Sequence, residues 1–192
     1  MNKLKSQIIN YSKKLNSTNL SALRSGNISA RVKKDGIEGF YITPSGMKYS
    51  SLKVKDIVFV SLKGIFDKKK NKPSSEWRFH QDIYVNKKEA KAIVHAHSTC
   101  ATAVSSHQKN VPAFHYMVAV AGGEDLKCAR YATFGTKQLS RNIITALKNR
   151  SACLISNHGQ VAFGNDIGKT FELAQEIENI CHQYINALRI GI

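Results

Sequence analysis

The run Ile93-Val94-His95-Ala96-His97-Ser98 places two imidazoles one residue apart at the end of an apolar stretch. Alternate side chains of a strand share a face, so His95 and His97 point one way and Ala96 the other. A third imidazole is offered by His158, in Asn157-His158-Gly159, and a carboxylate by Glu76. Three imidazoles and a carboxylate complete a four-coordinate site for a divalent cation, and zinc is the usual occupant of histidine-rich sites. A lone His-x-His pair is more often two polar residues at a strand edge. Here the other ligand types favour the metal reading.

Three short segments share a second kind of chemistry. Ser25-Gly26-Asn27, Thr43-Pro44-Ser45-Gly46 and Pro73-Ser74-Ser75-Glu76 are small, polar and rich in donors. Any one of them reads as an ordinary turn. Ser75 reads as the N-cap of a helix running to about Val85, with Glu76 in its first turn. The hydroxyls and free backbone N–H groups there form an anion cradle. Three such loops beside a candidate metal site point to a phosphate pocket.

These residues need a scaffold. Leu4, Ile8, Tyr11 and Leu15 recur at helical spacing. Residues 28–32, 39–43 and 56–61 read as strands, the first two as a hairpin turning at Gly36. Residues 92–97 form the histidine strand, 98–106 a helix, 127–132 a strand and 137–149 a helix. Residues 152–156 and 160–163 are two strands about a turn that exposes His158. Leu173, Ile177, Ile180, Cys181, Tyr184, Ile185 and Leu188 make one apolar stripe, read as a helix packed on the sheet. Interspersed strands and helices, without repeats or a linker, indicate one α/β domain.

A chain of 192 residues can bury a sizeable core. No apolar stretch reaches the length needed to span a bilayer. The N-terminal Met1-Asn2-Lys3-Leu4-Lys5 is not followed by an apolar core, so no signal peptide is expected and the cytoplasm is the default location. Cys100, Cys128, Cys153 and Cys181 are too far apart for a zinc ribbon and read as buried free thiols. The formal charge of +16 raises nucleic-acid binding as a class. Yet the lysines are scattered, with one dense run at Lys68-Lys69-Lys70 that reads as a solvated loop, and there is no basic helix or aromatic-basic interleaving. Nucleic acid is therefore not the expected partner, whereas a basic envelope suits a phosphorylated metabolite.

Gly26-Asn27-Ile28-Ser29, Thr43-Pro44-Ser45-Gly46, Pro73-Ser74-Ser75-Glu76, His95-Ala96-His97-Ser98, His115-Tyr116-Met117 with Ala121-Gly122-Gly123, and Asn157-His158-Gly159 occur in this order. In this the chain resembles the class II aldolase/adducin family, most closely its L-fuculose-1-phosphate aldolase branch, from about Leu20 to the last helix. The resemblance implies one class II aldolase-like domain over residues 1–192, an α/β/α sandwich around a largely antiparallel sheet, assembled as a homotetramer with the site at a subunit interface. It implies one zinc ion per subunit, held by His95, His97 and His158, with Glu76 as a fourth ligand that swings away to act as base. It implies phosphate contacts from Asn27, Ser45, Gly46, Ser74 and Ser75. Tyr116 matches a tyrosine that enters a neighbouring subunit's site and protonates the aldehyde oxygen.

The activity so implied is cleavage of a ketose 1-phosphate, fuculose 1-phosphate or similar, to dihydroxyacetone phosphate and an aldehyde through an enediolate. Pentulose-phosphate 4-epimerases and methylthioribulose-1-phosphate dehydratases share the metal scaffold, but the epimerases typically carry aspartate where Glu76 stands here. The non-enzymatic alternative is a basic interaction module with a vestigial metal site, and the full ligand set argues against it. Two departures bear on the substrate. Arg24 replaces a small hydroxyl residue of the phosphate loop, and the sequence stops at Ile192, without the tail tyrosine that positions the aldehyde. His80, His107 and His182 read as structural or surface residues, and His115 as a neighbour able to orient the Tyr116 contact.

Overall fold

Apolar residues alternate along the central strands, yet both alternate sets are buried, because the sheet is covered on both faces. The structure, a computed structural model, describes residues 1–191, and Ile192 lies outside them. In chain order the elements are α1 (Asn2–Ser17), β1 (Asn27–Lys34), β2 (Ile37–Ile42), β3 (Val58–Ser61), α2 (Trp77–Asn86), β4 (Ala92–Ala96), α3 (Thr99–Ser105), β5 (Cys128–Ala129), α4 (Lys137–Ala146), β6 (Ala152–Ile155), β7 (Gly159–Gly164) and α5 (Ile167–Arg189). The strands form one seven-stranded sheet in the order β3-β2-β1-β4-β7-β6-β5. Every pairing is antiparallel except β5 with β6. The expected α/β/α sandwich with a largely antiparallel sheet is the fold observed.

Parity assigns each strand residue to a layer. Ile28, Ala30, Ala92, Val94, Ala96 and Leu154 pack with α1, α3 and α5 residues such as Ile8, Leu15, Ala101, Ile177 and Ile180. Phe40, Ile42, Ile93, Ile155 and Val161 face the other way, onto Phe79 and Ile83 of α2 and Leu139 and Ile143 of α4. Each fully buried side chain of this size contributes about 1.5–3 kcal/mol relative to exposure. His95 has the parity of Ile93, so it points into the α2 layer.

Several boundaries differ from the sequence reading. The third strand starts at Val58, because Val54–Asp56 winds into a short 3₁₀ turn closed by the Asp56 carboxylate on the Lys53 N–H. The strand expected over 127–132 pairs only at Cys128–Ala129, beyond which the chain leaves the sheet edge. The helix expected to reach Asn149 ends at Ala146, and Asn149 takes a φ of 57° in the turn that follows. Along α5, Ile177, Ile180 and Cys181 are buried, whereas Leu188 is exposed past the edge of the core. Cys153 and Cys181 are buried thiols, but Cys100 and Cys128 are only half-buried. Among the described residues, no helix is long and apolar enough to cross a membrane.

Candidate metal centre and substrate cavity

His95 lies opposite Asn27 of β1 and Val161 of β7. Its ring is buried, edge-on to Phe79 with centroids 5.3 Å apart. Its Nδ1 is 2.7 Å from the Gln160 carbonyl oxygen. A carbonyl only accepts, so Nδ1 carries a proton and Nε2 is left to face the cluster. The strand stops at Ala96, one residue earlier than expected, because the His97 N–H turns to the Ser21 hydroxyl at 2.9 Å. The two imidazoles keep the shared side nonetheless, with Nε2 atoms 2.9 Å apart.

His158 is delivered by the tight β6–β7 turn. Gly159 there has a φ of 155°, and a Cβ on it would lie 2.3 Å from the Ala96 carbonyl oxygen. Only glycine lets this turn close over the end of β4. The approach sets His158 Nε2 3.0 Å from His97 Nε2. Glu76 arrives from the opposite side, immediately before α2. Its Oε2 is 3.1 Å from His95 Nε2, and its Oε1 is 3.1 Å from His158 Nε2. The Asn27 amide donates to Oε2 at 3.0 Å. Buried Oε1 has no well-aligned hydrogen bond. One ligand atom from each of Glu76, His95, His97 and His158 lies within 4.8 Å of the others. Three converging imidazole nitrogens and an under-used buried carboxylate oxygen fit a divalent cation.

The charges in the cluster are strongly linked. Burial alone would raise the Glu76 carboxyl, but the charge of His95 and the close approach of the His158 and His95 imidazoles hold it well below the usual carboxylate range. Burial opposes a charge on His95, and adjacent Glu76 overcomes it, so that imidazole is raised. His97 is pushed down to about 3, by burial first and then by the charges of His95 and His158. A proton on His95 thus partners the carboxylate, and a cation taking that place would release it.

His80, one turn along α2 from Glu76, is fully buried, and burial pushes it down to about 3. In the unfolded chain a histidine takes a proton near 6.5, whereas folded His80 stays neutral until far lower pH. The unfolded state therefore binds the extra proton, and the stability tied to neutral His80 is complete above pH 6.5 and lost as pH falls. At about 1.4 kcal/mol per pH unit, roughly 3 kcal/mol should go between pH 6.5 and 4. Urea unfolding midpoints followed over that range should fall steeply in the native sequence and less steeply in His80→Gln. Equal slopes would contradict the assignment.

A cavity of about 450 Å³ opens above the cluster. One wall is built from the three donor-rich loops, which are tied to one another. The Ser45 N–H donates to the Lys72 carbonyl at 3.0 Å, and the Ser74 N–H to the Thr43 carbonyl at 3.0 Å. Arg24 Nη1 donates to the Gly46 carbonyl at 3.0 Å, joining the first loop to the second. Gly26 has a φ of 77°, and a Cβ there would lie 2.7 Å from the His95 carbonyl oxygen, so glycine lets the first loop abut β4.

The residues expected to meet do so unevenly. Asn27, Ser45, Gly46, Ser74, Ser75, Glu76, His97 and His158 all line the cavity, whereas His95 is fully buried and joins them only through the cluster. Ser75 is not the N-cap of α2. Ser74 closes that turn, accepting the Trp77 N–H at its carbonyl (3.0 Å) and the Glu76 N–H at its hydroxyl (3.3 Å). The cap position passes to Glu76, and Ser75 is left exposed at the cavity. Tyr116 is outside the cavity, 80% exposed on a 3₁₀ segment, Tyr116–Ala121, on another part of the surface. His115 packs against it with the rings tilted by 47° and centroids 4.8 Å apart, and His107 and His182 are exposed.

Sequence reading missed three contributors. Tyr131 and Phe134 also line the cavity, on a segment whose Gly135 abuts the Ser75 carbonyl, and an aromatic pair just ahead of a glycine was the available signal. Gln160 fixes the His95 ring through its carbonyl, while its side-chain amide donates to the Ser98 hydroxyl at 2.8 Å.

Comparison with known proteins agrees with this geometry. The family profile described as Class II Aldolase and Adducin N-terminal domain matches residues 6–185. An L-fuculose phosphate aldolase of Escherichia coli is 41% identical over 189 residues, covering 98% of this chain and 86% of that protein. A 5-methylthioribulose-1-phosphate/5-deoxyribulose-1-phosphate aldolase of Rhodospirillum rubrum is 39% identical over 188 residues, covering 98% of this chain and 83% of that protein. A solved L-fuculose 1-phosphate aldolase superposes with a TM-score of 0.93 at 36% identity, over 99% of this chain and 88% of its own. With a family profile spanning nearly the whole sequence and the expected histidines and glutamate brought together in one cavity, the chain belongs to the class II aldolase and adducin family.

Proposed function

We propose that this protein is a zinc-dependent aldolase that cleaves a ketose 1-phosphate to dihydroxyacetone phosphate and an aldehyde. The observation that carries this reading is one cavity that meets both the cluster of Glu76 and three imidazoles, through Glu76, His97 and His158, and the three donor-rich loops. Relatives named as fuculose-phosphate and 5-deoxyribulose-1-phosphate aldolases support the substrate class. In this reading His95, His97, His158 and Glu76 hold one zinc ion per subunit, and zinc supplies Lewis acidity that stabilises negative charge on the substrate's ketone side.

The residues of the chain supply the rest. Asn27, Ser45, Gly46, Ser74 and Ser75 hold the phosphate and so fix the reacting end of the sugar. In the bond-forming direction the Glu76 carboxylate takes a proton from the hydroxymethyl carbon of dihydroxyacetone phosphate, and the electron pair left behind makes the enediolate. That carbon attacks the aldehyde, whose oxygen takes the phenolic proton of Tyr116. Cleavage is the reverse, and proton exchange with solvent, gained at one group and lost at the other, closes the cycle in either direction. Tyr116 lies far outside its own cavity, which suits contribution to a neighbour's site within a homotetramer.

The test is a panel of L-fuculose 1-phosphate, 5-deoxyribulose 1-phosphate and 5-methylthioribulose 1-phosphate, with dihydroxyacetone phosphate followed by coupled reduction. Release that chelation abolishes and zinc restores is expected. A single isomerised or dehydrated product, with no three-carbon fragment, would replace this reading by epimerase or dehydratase chemistry.

A further inference from the structure

The cavity-side face of β1 is polar and buried at once. Asn27 and Ser29 have at most 2% exposure, and with Arg31 they point towards α2. From α2 and the residue before it, Glu76, His80 and Tyr84 point back. Four residues of helix advance 6.0 Å and two residues of strand about 6.7 Å, so the two rows stay nearly in step. Asn27 Nδ2 meets Glu76 Oε2 at 3.0 Å, Asn27 Oδ1 meets His80 Nε2 at 2.5 Å, and Ser29 Oγ meets His80 Nδ1 at 2.7 Å and the Tyr84 hydroxyl at 2.8 Å. Arg31 closes the row, its guanidinium over the Tyr84 ring at 4.9 Å and donating to the Ala90 carbonyl at 2.8 Å.

The direction of every bond in this row follows from its two ends. Glu76 Oε2 only accepts, so the Asn27 nitrogen faces it and the Asn27 oxygen faces inward. An amide oxygen only accepts, so His80 carries its proton on Nε2. Burial keeps His80 neutral, which leaves Nδ1 as an acceptor. The Ser29 hydroxyl must then donate to Nδ1, and Tyr84 donates to Ser29. From Tyr84 through Ser29, His80 and Asn27, each donor points towards the carboxylate.

We propose that His80 is a positioning residue for Glu76, holding the Asn27 amide with its N–H groups towards the carboxylate and the cavity. If the His80 donor is lost, the buried Asn27 oxygen has no partner, and the Glu76 carboxylate alone is left to hold the amide, so the Asn27 N–H is presented less firmly. Asn27 also lines the cavity, so the same constraint sets the donor it can offer an anion there. The effect on turnover rests on Glu76 being the proton carrier; the orientation of the row does not.

Two readouts test this on the full chain. Nitrogen-15 shifts of His80 in the native sequence should show the neutral Nε2–H tautomer between pH 5.5 and 8. The Nδ1–H tautomer, or a charged ring, overturns the proposal without any variant having to fold. His80→Gln keeps an N–H near the place of Nε2, whereas His80→Asn is too short to reach Asn27. His80→Asn should lose kcat by about 10- to 100-fold with KM changed less than about threefold, and His80→Gln should recover most of the loss. The two variants should melt at similar temperatures, and hydrogen-exchange protection of the Asn27 side-chain amide should survive only in His80→Gln. Equal kcat in both variants, or equal Asn27 protection, overturns the proposal. Should the native protein cleave no ketose phosphate, the tautomer and the Asn27 protection still decide it.

Discussion

Glu76→Gln is expected to lower kcat for ketose-phosphate cleavage by about 10²–10⁴-fold, the usual range for a positioned acid–base group. The amide is nearly isosteric with the carboxylate and can still accept from Asn27, so the cavity should keep its shape. Three imidazoles remain to bind the metal, and metal content should stay near one per chain. KM should move little, since the phosphate loops are separate from the carboxylate. Steady-state release of dihydroxyacetone phosphate, with metal analysis of the same sample, checks both halves. Full turnover by a metal-loaded Glu76→Gln protein would remove Glu76 from proton transfer.

His158→Ala should have an effect at least as large by a different route. His158 sits in the turn that joins the ends of β6 and β7 and is only half-buried, so its truncation spares the core. The ligand set drops to two imidazoles and a carboxylate, and stoichiometric zinc should be lost on dialysis. Losing several kcal/mol of charge stabilisation corresponds to roughly a thousandfold or more in kcat/KM. Thermal melts provide an independent reading. Zinc at a hundred times its dissociation constant should stabilise the native sequence by about 2.7 kcal/mol, and His158→Ala should show no such shift. A variant that keeps one zinc per chain would show that His158 is not a ligand.

What could be read from sequence follows the range of each signal. The convergence of His95, His97, His158 and Glu76 was legible because two ligands share a strand and the others sit in short, recognisable turns. The mixture of strands and helices in one domain was legible from the two periodicities, whereas the layered, largely antiparallel arrangement was legible only through the family resemblance. The buried row along β1 was not. Asn27, Ser29 and Arg31 alternate with Ile28, Ala30 and Val32, and such a pattern ordinarily marks a solvent face. Their partners, Glu76, His80 and Tyr84, lie about fifty residues away at helical spacing, and no local pattern links the two rows. The end of the histidine strand is not legible because Ser21, which takes the His97 N–H, belongs to the α1–β1 connection, more than seventy residues away in sequence. Tyr131 and Phe134 were missed because the chain leaves the sheet after Ala129, where a longer strand would have carried them elsewhere.

The strand order carries a consequence for how the molecule is made. β4 is flanked by β1 and β7, so Ile93 pairs with Ser29 on one side and with Phe163 on the other. Both pairings close loops of more than sixty residues, and such long-range closures slow folding. Until they close, His95 and His97 are neighbours, but Glu76 and His158 are tethered only through flexible chain. The cation site is thus a late product of folding and cannot template the early steps. A cation that binds only the finished site would act on the unfolding rate, prolonging the native lifetime rather than hastening its arrival.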